Sequence, residues 1–382
     1  MAAIEFQIPR GAILFSEGGV AYEFREHLGE AHHGLSLLLA RRRTAHGPEG
    51  KVLLKAVGRP TATAAWQRVD KARAKLLEQV RLATHLEHPG ILRVHGLHKS
   101  EGTWYVICEH PAGHSLNELL ELVQECGRWF SPFFTLYVGA QVASALHHAH
   151  TVRDSAGRPL GIVHRAIDLE HLFMDWKGRV QVSDFGMALS SLPGRVATTV
   201  RRPQADTYFS SPEMLLTGRV DGRSDLFALG LVMLELATGR NLLHPPEAVP
   251  EAAIAALSRK QRGRVARALK RARLAGCADA LEQVLWRAAT YTREDVEAVT
   301  AGLPDALRVP LCRLLQRSPA ARYQTAAELE AHLSGWLGGM FGAKEAAAEL
   351  KGTADKAGEH MVDRKLLRSR GRGRSLEELT TR

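Results

Sequence analysis

The sequence predicts an α+β protein with two lobes, a small β-rich lobe with one main helix and a larger, mostly helical lobe. Two observations predict the small lobe. Residues 22–58 alternate apolar and polar side chains as strands do, and residues 66–87 repeat apolar side chains every three or four positions. A third observation predicts the large lobe, because the patterns after about residue 115 are mainly helical.

Turn residues separate the predicted elements from one another. Turns at 32–33 and 47–48 divide the first region into three strands, and His88-Pro89-Gly90 ends the helix. Two more strand-like runs follow, at 91–99 and 103–110. The main helical runs of the large lobe are 116–124, 134–150 and 225–238.

The length and composition are those of a soluble globular protein with two or three domains. The chain has 382 residues, of which 45% are hydrophobic and 24% are charged. Its four cysteines stand far apart without a CxxC pair, which favours a reduced, cytoplasmic chain over a disulfide-linked secreted one. The start lacks a signal-peptide pattern, and the most apolar run, residues 226–239, is too short for a membrane span and predicts a buried helix.

The excess of basic residues is concentrated in two runs. The chain has 51 lysines and arginines against 41 acidic residues, a formal net charge of +10. Basic residues dominate 259–273, without an intervening acid, and 364–374. Such runs attract anions, but no DNA- or RNA-binding motif accompanies them, so we expect a solvated helix face, a flexible tail and no nucleic acid partner. Non-specific anion binding through 259–273 is the least favoured alternative.

Several motifs follow one another in a fixed order. Lys55 lies in the strand-like run VLLK, the sequence HRAIDLEH occupies 164–171, and Asp184-Phe-Gly and Ser211-Pro-Glu come after it. Over residues 22–336 this ordered set resembles the bacterial Ser/Thr protein kinases of the eukaryotic type. The resemblance implies a bilobal protein kinase fold. We expect an N-terminal extension at 1–21, a small lobe at 22–108, a large lobe at 109–337 and a basic, flexible tail at 338–382.

The resemblance implies a nucleotide site for ATP between the lobes. Its candidate residues are Gly29 and Gly34 of a glycine-rich loop, the strand lysine Lys55, and the hinge residue Glu109, whose backbone carbonyl would meet adenine. The second hinge contact in the family is a backbone N–H, but Pro111 stands there and has none to donate. One lost hydrogen bond, worth about 0.5–1.5 kcal/mol, predicts weaker ATP binding rather than none.

Two further positions of this site concern the lysine and the metal ions. The family pairs its lysine with a glutamate of the following helix, and that position falls on Gln79, with Glu78 one residue earlier on another helix face. Asp184 would offer one carboxylate to Mg²⁺ or Mn²⁺. A second ligand in the family is an asparagine, but His171 stands there, and imidazole suits a hard cation poorly. We therefore expect any metal ion to be held weakly.

The catalytic loop departs most from the family. His164 and Arg165 match it, but Ala166 stands where the resemblance implies the aspartate that accepts the proton of the attacking hydroxyl. Such a base contributes roughly 10²–10⁴-fold, and a methyl group cannot replace it. Asp168 stands where the family has a basic or small polar partner of the γ-phosphate, and we expect its carboxylate to repel that phosphate. Asp168 as a displaced base is a less favoured alternative.

Three residues match positions that serve structure in the family. Glu213 and Arg322 correspond to the ion pair at the end of the activation segment, and Asp225 corresponds to the helix-start aspartate that supports the catalytic loop. A retained scaffold beside an altered catalytic loop indicates a pseudokinase that binds ATP weakly and signals by contact. Its expected partner is a protein, an active kinase or a signalling complex. The alternative is a divergent but active Ser/Thr kinase that transfers the ATP γ-phosphate to protein hydroxyls.

Overall fold

The computed structural model of the chain describes residues 8–31, 35–58, 66–192, 207–274 and 278–357. An antiparallel sheet and one helix form the N-terminal part, and helices with three short strands form the C-terminal part. This arrangement confirms the predicted α+β fold with a small β-rich lobe and a large helical lobe.

Six antiparallel strands form the sheet of the small lobe, in the order β1-β2-β3-β4-β6-β5. Their bounds are β1 (Ile13–Glu17), β2 (Val20–Ala31), β3 (Leu35–Thr44), β4 (Gly47–Val57), β5 (Val94–Ser100) and β6 (Thr103–Glu109). Helix α1 (Trp66–Ala83) contacts β4, β5 and β6. The sheet starts before the expected boundary at residue 22, because β1 pairs with β2 and Phe15 stacks on Tyr22 with ring centroids 4.4 Å apart.

Side chains of this sheet alternate between two apolar clusters on its opposite faces. On β6, Tyr105 packs into an outer cluster, whereas Val106 packs into the cluster that includes α1. On β4, Leu54 belongs to the outer cluster. Because successive strand residues point to opposite faces, its neighbour Lys55 points to the inner face, where it meets Asp184.

The large lobe is built around two long helices, α3 (Pro132–Thr151) and α5 (Gly222–Thr238), which are buried on nearly all sides. A Cβ atom at Gly139 of α3 would lie 2.7 Å from the Met233 sulfur of α5, so glycine permits this close approach. The burial of α5 confirms the core helix predicted for the most apolar run. Within the described ranges, no helix has the length and apolar character needed to cross a membrane.

Shorter elements complete the large lobe. A second sheet contains β7 (His114–Ser115), β8 (Leu172–Met174) and β9 (Val180–Val182). The other helices are α2 (Leu116–Glu125), α4 (Pro212–Leu216), α6 (Glu251–Ala255), α7 (Arg259–Leu274), α8 (Ala278–Thr290), α9 (Arg293–Val299), α10 (Asp305–Leu314) and α11 (Ala326–Leu337). Helix α7 carries the first basic run and buries Val265, Ala268, Leu269 and Ala272.

The segment after α11 differs from the flexible tail expected from residue 338. Residues 343–357 form a helix, α12, that buries Ala346 and Leu350 against the large lobe. The Glu349 carboxylate accepts hydrogen bonds from the backbone N–H and the hydroxyl of Ser131, at 2.7 and 2.6 Å. Ser131 is the N-cap of α3, so α12 is tied to the start of a core helix. The second basic run lies outside the described residues.

We expect Glu349→Ala to lower the free energy of unfolding by about 1.5–3 kcal/mol, because hydrogen bonds to a charged group contribute in this range. Urea denaturation followed by circular dichroism would measure the loss. Lys351→Ala is the matched control, because Lys351 is exposed on the same helix. Equal stability of the two variants would show that the contact between Glu349 and Ser131 does not hold α12 in place.

Candidate functional site

The candidate site lies where β4 of the small lobe meets the segment Asp184–Gly186 of the large lobe. The Lys55 ammonium forms an ion pair with the Asp184 carboxylate, and these side chains are 9% and 15% exposed. Asp184 has a left-handed backbone conformation, and its Oδ1 accepts a hydrogen bond from the Gly186 N–H at 2.9 Å. Burial alone would raise the pKa of Asp184, but the Lys55 ammonium holds it well below its usual range. The Asp184 carboxyl is therefore ionised at neutral pH.

Helix α1 places Gln79 beside this segment. A Cβ atom on Gly186 would lie 3.3 Å from the Gln79 side-chain oxygen, so the two residues face each other. Glu78 points elsewhere and accepts a hydrogen bond from the Lys75 ammonium at 2.6 Å, within the buried part of the lobe. Neighbouring helix residues are about 100° apart, so Glu78 is directed away from Gly186.

Asp225, in the first turn of α5, anchors the loop that contains residues 164–171. Its carboxylate oxygens accept hydrogen bonds from the backbone N–H groups of His164 and Arg165, each at 2.8 Å. Asp225 also lies 2.8 Å from Nε2 of His150. The Arg165 backbone is left-handed, with φ of 66°, and its guanidinium donates to the Met187 carbonyl. These contacts fix the loop in one conformation.

His164 serves this loop as a buried structural residue. Its Nδ1 accepts a hydrogen bond from the Ala166 N–H, so the ring proton lies on Nε2, which donates to the Ser183 carbonyl at 2.8 Å. The ring packs edge-on against Phe185 with centroids 4.5 Å apart. Burial lowers the pKa of His164, so the ring is neutral and both its nitrogens are engaged.

Asp168 and His171 bind to each other. Nδ1 of His171 lies 2.7 Å from Oδ1 of Asp168, which also accepts the backbone N–H groups of Glu170 and His171 at 3.0 and 2.9 Å. The Asp168 residue is 2% exposed. Burial alone would raise the pKa of Asp168, but the hydrogen bond and charge of His171 hold it below its usual range. Because a carboxylate can only accept, Nδ1 of His171 carries the proton.

These side chains fit a divalent cation poorly. Magnesium takes oxygen ligands in near-octahedral geometry, whereas His171 offers nitrogen and its Nδ1 is bound to Asp168. Oδ1 of Asp184 is already shared between Lys55 and Gly186. Among the residues that the structure describes, no three His, Cys, Asp or Glu side chains are grouped so that they could hold a metal ion.

The hinge between the lobes runs from the end of β6. The Glu109 N–H donates to the Arg93 carbonyl at 2.8 Å, and the Glu109 carboxylate accepts the Arg93 N–H at 3.1 Å. Pro111, the hinge residue that has no backbone N–H to donate, is buried. Burial raises the pKa of the Cys108 thiol to about 11, so this side chain is an uncharged thiol at neutral pH.

Of the two glycines expected in the glycine-rich loop, Gly29 lies within the described residues. Gly29 has φ of 112°, a conformation that favours glycine, and lies within β2. Gly34 lies outside the described residues, as do residues 193–206.

Glu213 of α4 and Arg322 form a buried, bidentate ion pair. The N···O distances are 2.8 and 2.9 Å, and the Arg322 side chain is fully buried over the ring of Phe227. Burial alone would raise the pKa of Glu213, but Arg322 and the Ser224 hydroxyl hold it below its usual range.

Sequence reasoning missed two contacts of the site. The partnership of His150 with Asp225 was not predicted, because a histidine near the end of a helix is usually an exposed or packed residue. The pairing of Asp168 with His171 was also missed, although spacing of three residues is a usable signal for side-chain contact in a tight turn.

Comparison with known proteins agrees with this geometry. The sequence matches the protein kinase domain family over residues 41–329. It is 33% identical over 162 residues to the tyrosine-protein kinase MasK of Myxococcus xanthus, which covers 42% of this chain and 25% of MasK. It is 30% identical over 158 residues to the serine/threonine-protein kinase PrkC of Bacillus subtilis, which covers 41% of this chain and 22% of PrkC. The aligned segments thus span a quarter or less of the length of these relatives.

A more distant relative leads to the same family. Aurora kinase A-B of Xenopus laevis is 29% identical over 167 residues, or 44% of this chain and 37% of the relative. The family match extends over most of the chain, from within β3 to within α11, and includes Lys55, Asp184 and the loop at 164–171. The chain therefore belongs to the protein kinase domain family, whose members use ATP with Mg²⁺ or Mn²⁺.

Proposed function

We propose that this chain is a pseudokinase, a cytoplasmic kinase-fold protein that binds ATP weakly and signals through contact with a protein partner. The partner is an active kinase or a member of a signalling complex. The observation that carries this proposal is the state of the catalytic loop. Ala166 lacks a proton acceptor, and the carboxylate of Asp168, two residues away, is buried and bound to His171.

Asp168 is a poor substitute for the missing base. To reach a substrate hydroxyl, its carboxylate would have to give up the His171 ring and the N–H groups of Glu170 and His171. Its pKa is also lowered, which makes it a weaker proton acceptor. Loss of a general base costs roughly 10²–10⁴-fold in rate, so phosphoryl transfer would be very slow.

The preserved scaffold supports a role that depends on shape. Asp225 still holds the catalytic loop, and Glu213 and Arg322 still brace the end of the activation segment. Lys55 and Asp184 still connect the lobes. A chain that keeps these interior contacts keeps the kinase fold, on which a role through contact with a partner depends.

The alternative is a divergent, active Ser/Thr kinase that transfers the γ-phosphate of ATP to protein hydroxyls. The ion pair of Lys55 with Asp184 favours it, because these two side chains contact the nucleotide phosphates and metal in active kinases. Both MasK and PrkC are named as kinases, which also supports this alternative.

Transfer of radiolabelled phosphate from ATP distinguishes the two. The purified chain would be incubated with labelled ATP and either Mg²⁺ or Mn²⁺, beside Asp184→Ala and an active Ser/Thr kinase as positive control. We expect wild type and Asp184→Ala to give the same background incorporation. Incorporation by wild type that Asp184→Ala abolishes would overturn the pseudokinase proposal and favour the alternative.

A further inference from the structure

The charged side chains of the cleft neutralise one another without a metal ion. Lys55 pairs with Asp184, and His171 pairs with Asp168, so two acidic groups each have a basic partner. His171 also lies close enough to Asp184 to lower the pKa of that carboxyl. In an active kinase, divalent cations compensate the negative charge of the acidic groups and the phosphates. In this site the Lys55 and His171 side chains, rather than divalent cations, compensate the negative charge of the two acidic groups.

The position of His171 makes this arrangement hard to reverse. Its ring is held by Asp168, and Asp168 is fixed by the N–H groups of Glu170 and His171. Freeing Asp168 for a cation would take from these donors the carboxylate oxygen that they now share. A divalent cation would therefore have to displace contacts that are already satisfied.

We infer that nucleotide binds in this cleft as the metal-free polyanion, with its phosphates contacting the Lys55 ammonium. This inference rests on the ATP binding included in the proposed function. In such a complex the phosphates compete with Asp184 for Lys55. The Asp184 carboxylate then opposes binding, both by holding the lysine and by repelling the phosphates. In a metal-dependent site the same carboxylate would favour binding, because it would hold the cation.

Removal of the Asp184 charge should strengthen metal-free binding but weaken metal-dependent binding, and this difference gives the test. Binding of a fluorescent ATP analogue to the intact protein would be titrated in EDTA and in Mg²⁺. We expect the dissociation constant in EDTA to equal that in Mg²⁺ or to be lower. In EDTA, Asp184→Asn should bind the analogue a few-fold more tightly than wild type does. Lys55→Ala should weaken binding at least tenfold.

Two further variants control for folding and for charge alone. Lys99→Ala removes an exposed lysine of the same sheet, and its affinity should equal that of wild type. Because Lys55→Ala leaves Asp184 buried without its partner, the double variant Lys55→Ala/Asp184→Ala removes both charges. It should also bind at least tenfold more weakly than wild type, with thermal unfolding confirming that it is folded.

Three outcomes would overturn the inference: binding that is lost in EDTA, binding that Asp184→Asn abolishes, and no binding in either buffer. The first two outcomes leave the proposed function standing. Absence of binding in both buffers would also remove ATP binding from the proposed function, whereas the absence of catalysis is contradicted only if wild type transfers phosphate. The two claims are thus tested separately.

Discussion

Changing three residues of the catalytic loop together, Ala166→Asp, Asp168→Lys and His171→Asn, is expected to give phosphoryl transfer about 10²–10⁴-fold above the wild-type background. The first change supplies a proton acceptor, which contributes in this range. The second replaces a carboxylate that repels the γ-phosphate by an ammonium that attracts it. The third supplies an amide oxygen, the donor type that Mg²⁺ takes. Incorporation of labelled phosphate into the protein and into a generic substrate would measure the gain.

Ala166→Asp alone is expected to stay close to background. Asp168 and His171 are hydrogen-bonded to each other in the wild-type loop, and a new carboxylate at 166 would leave that contact in place. It would also add a negative charge near Asp168, where the phosphate must approach. Restoring the base without removing this pair therefore leaves the phosphate poorly placed.

The matched control for the triple variant is Ala166→Asn/Asp168→Lys/His171→Asn. Asparagine has nearly the size of aspartate but cannot accept the proton, so this control should remain at background. If the triple variant were no more active than this control, the missing base at 166 would not be the reason for the lost activity.

The order of the elements could be predicted from the sequence because it depends on local periodicity. The strand runs of the small lobe alternate with period two, and α1 and α5 show long helical patterns. The motif residues Lys55 and Asp184 could also be identified, because a fixed order of motifs predicts their position in the fold. These predictions needed only local pattern and order.

Contacts between distant segments could not be predicted in this way. Residues 343–357 are rich in alanine, glutamate and lysine and resemble a loose tail, yet Glu349 binds Ser131 more than two hundred residues earlier. Likewise, β1 is short, and what fixes it is the packing of Phe15 on Tyr22 and Tyr105. Asp168 and His171 were interpreted as two separate substitutions, because the sequence does not show that their side chains turn toward each other.

Arg322→Met is expected to lower the free energy of unfolding by about 3–5 kcal/mol, the usual cost of removing one partner of a buried ion pair. The fully buried guanidinium donates to both carboxylate oxygens of Glu213 and to the carbonyls of Gln316, Arg223 and Arg317. Methionine would fill much of the space but leave Glu213 charged and without its main partner. Chemical denaturation of the intact chain would measure the loss.

Two variants separate the loss of the pair from the loss of a basic residue. Arg308→Ala removes an arginine that is 41% exposed and pairs with Asp305 on the surface, so its stability should equal that of wild type. Glu213→Leu/Arg322→Met removes both charges and should lose less stability than Arg322→Met alone, because no unpaired carboxylate remains. A double variant less stable than Arg322→Met would mean that the backbone carbonyls, rather than Glu213, account for the need for arginine at 322.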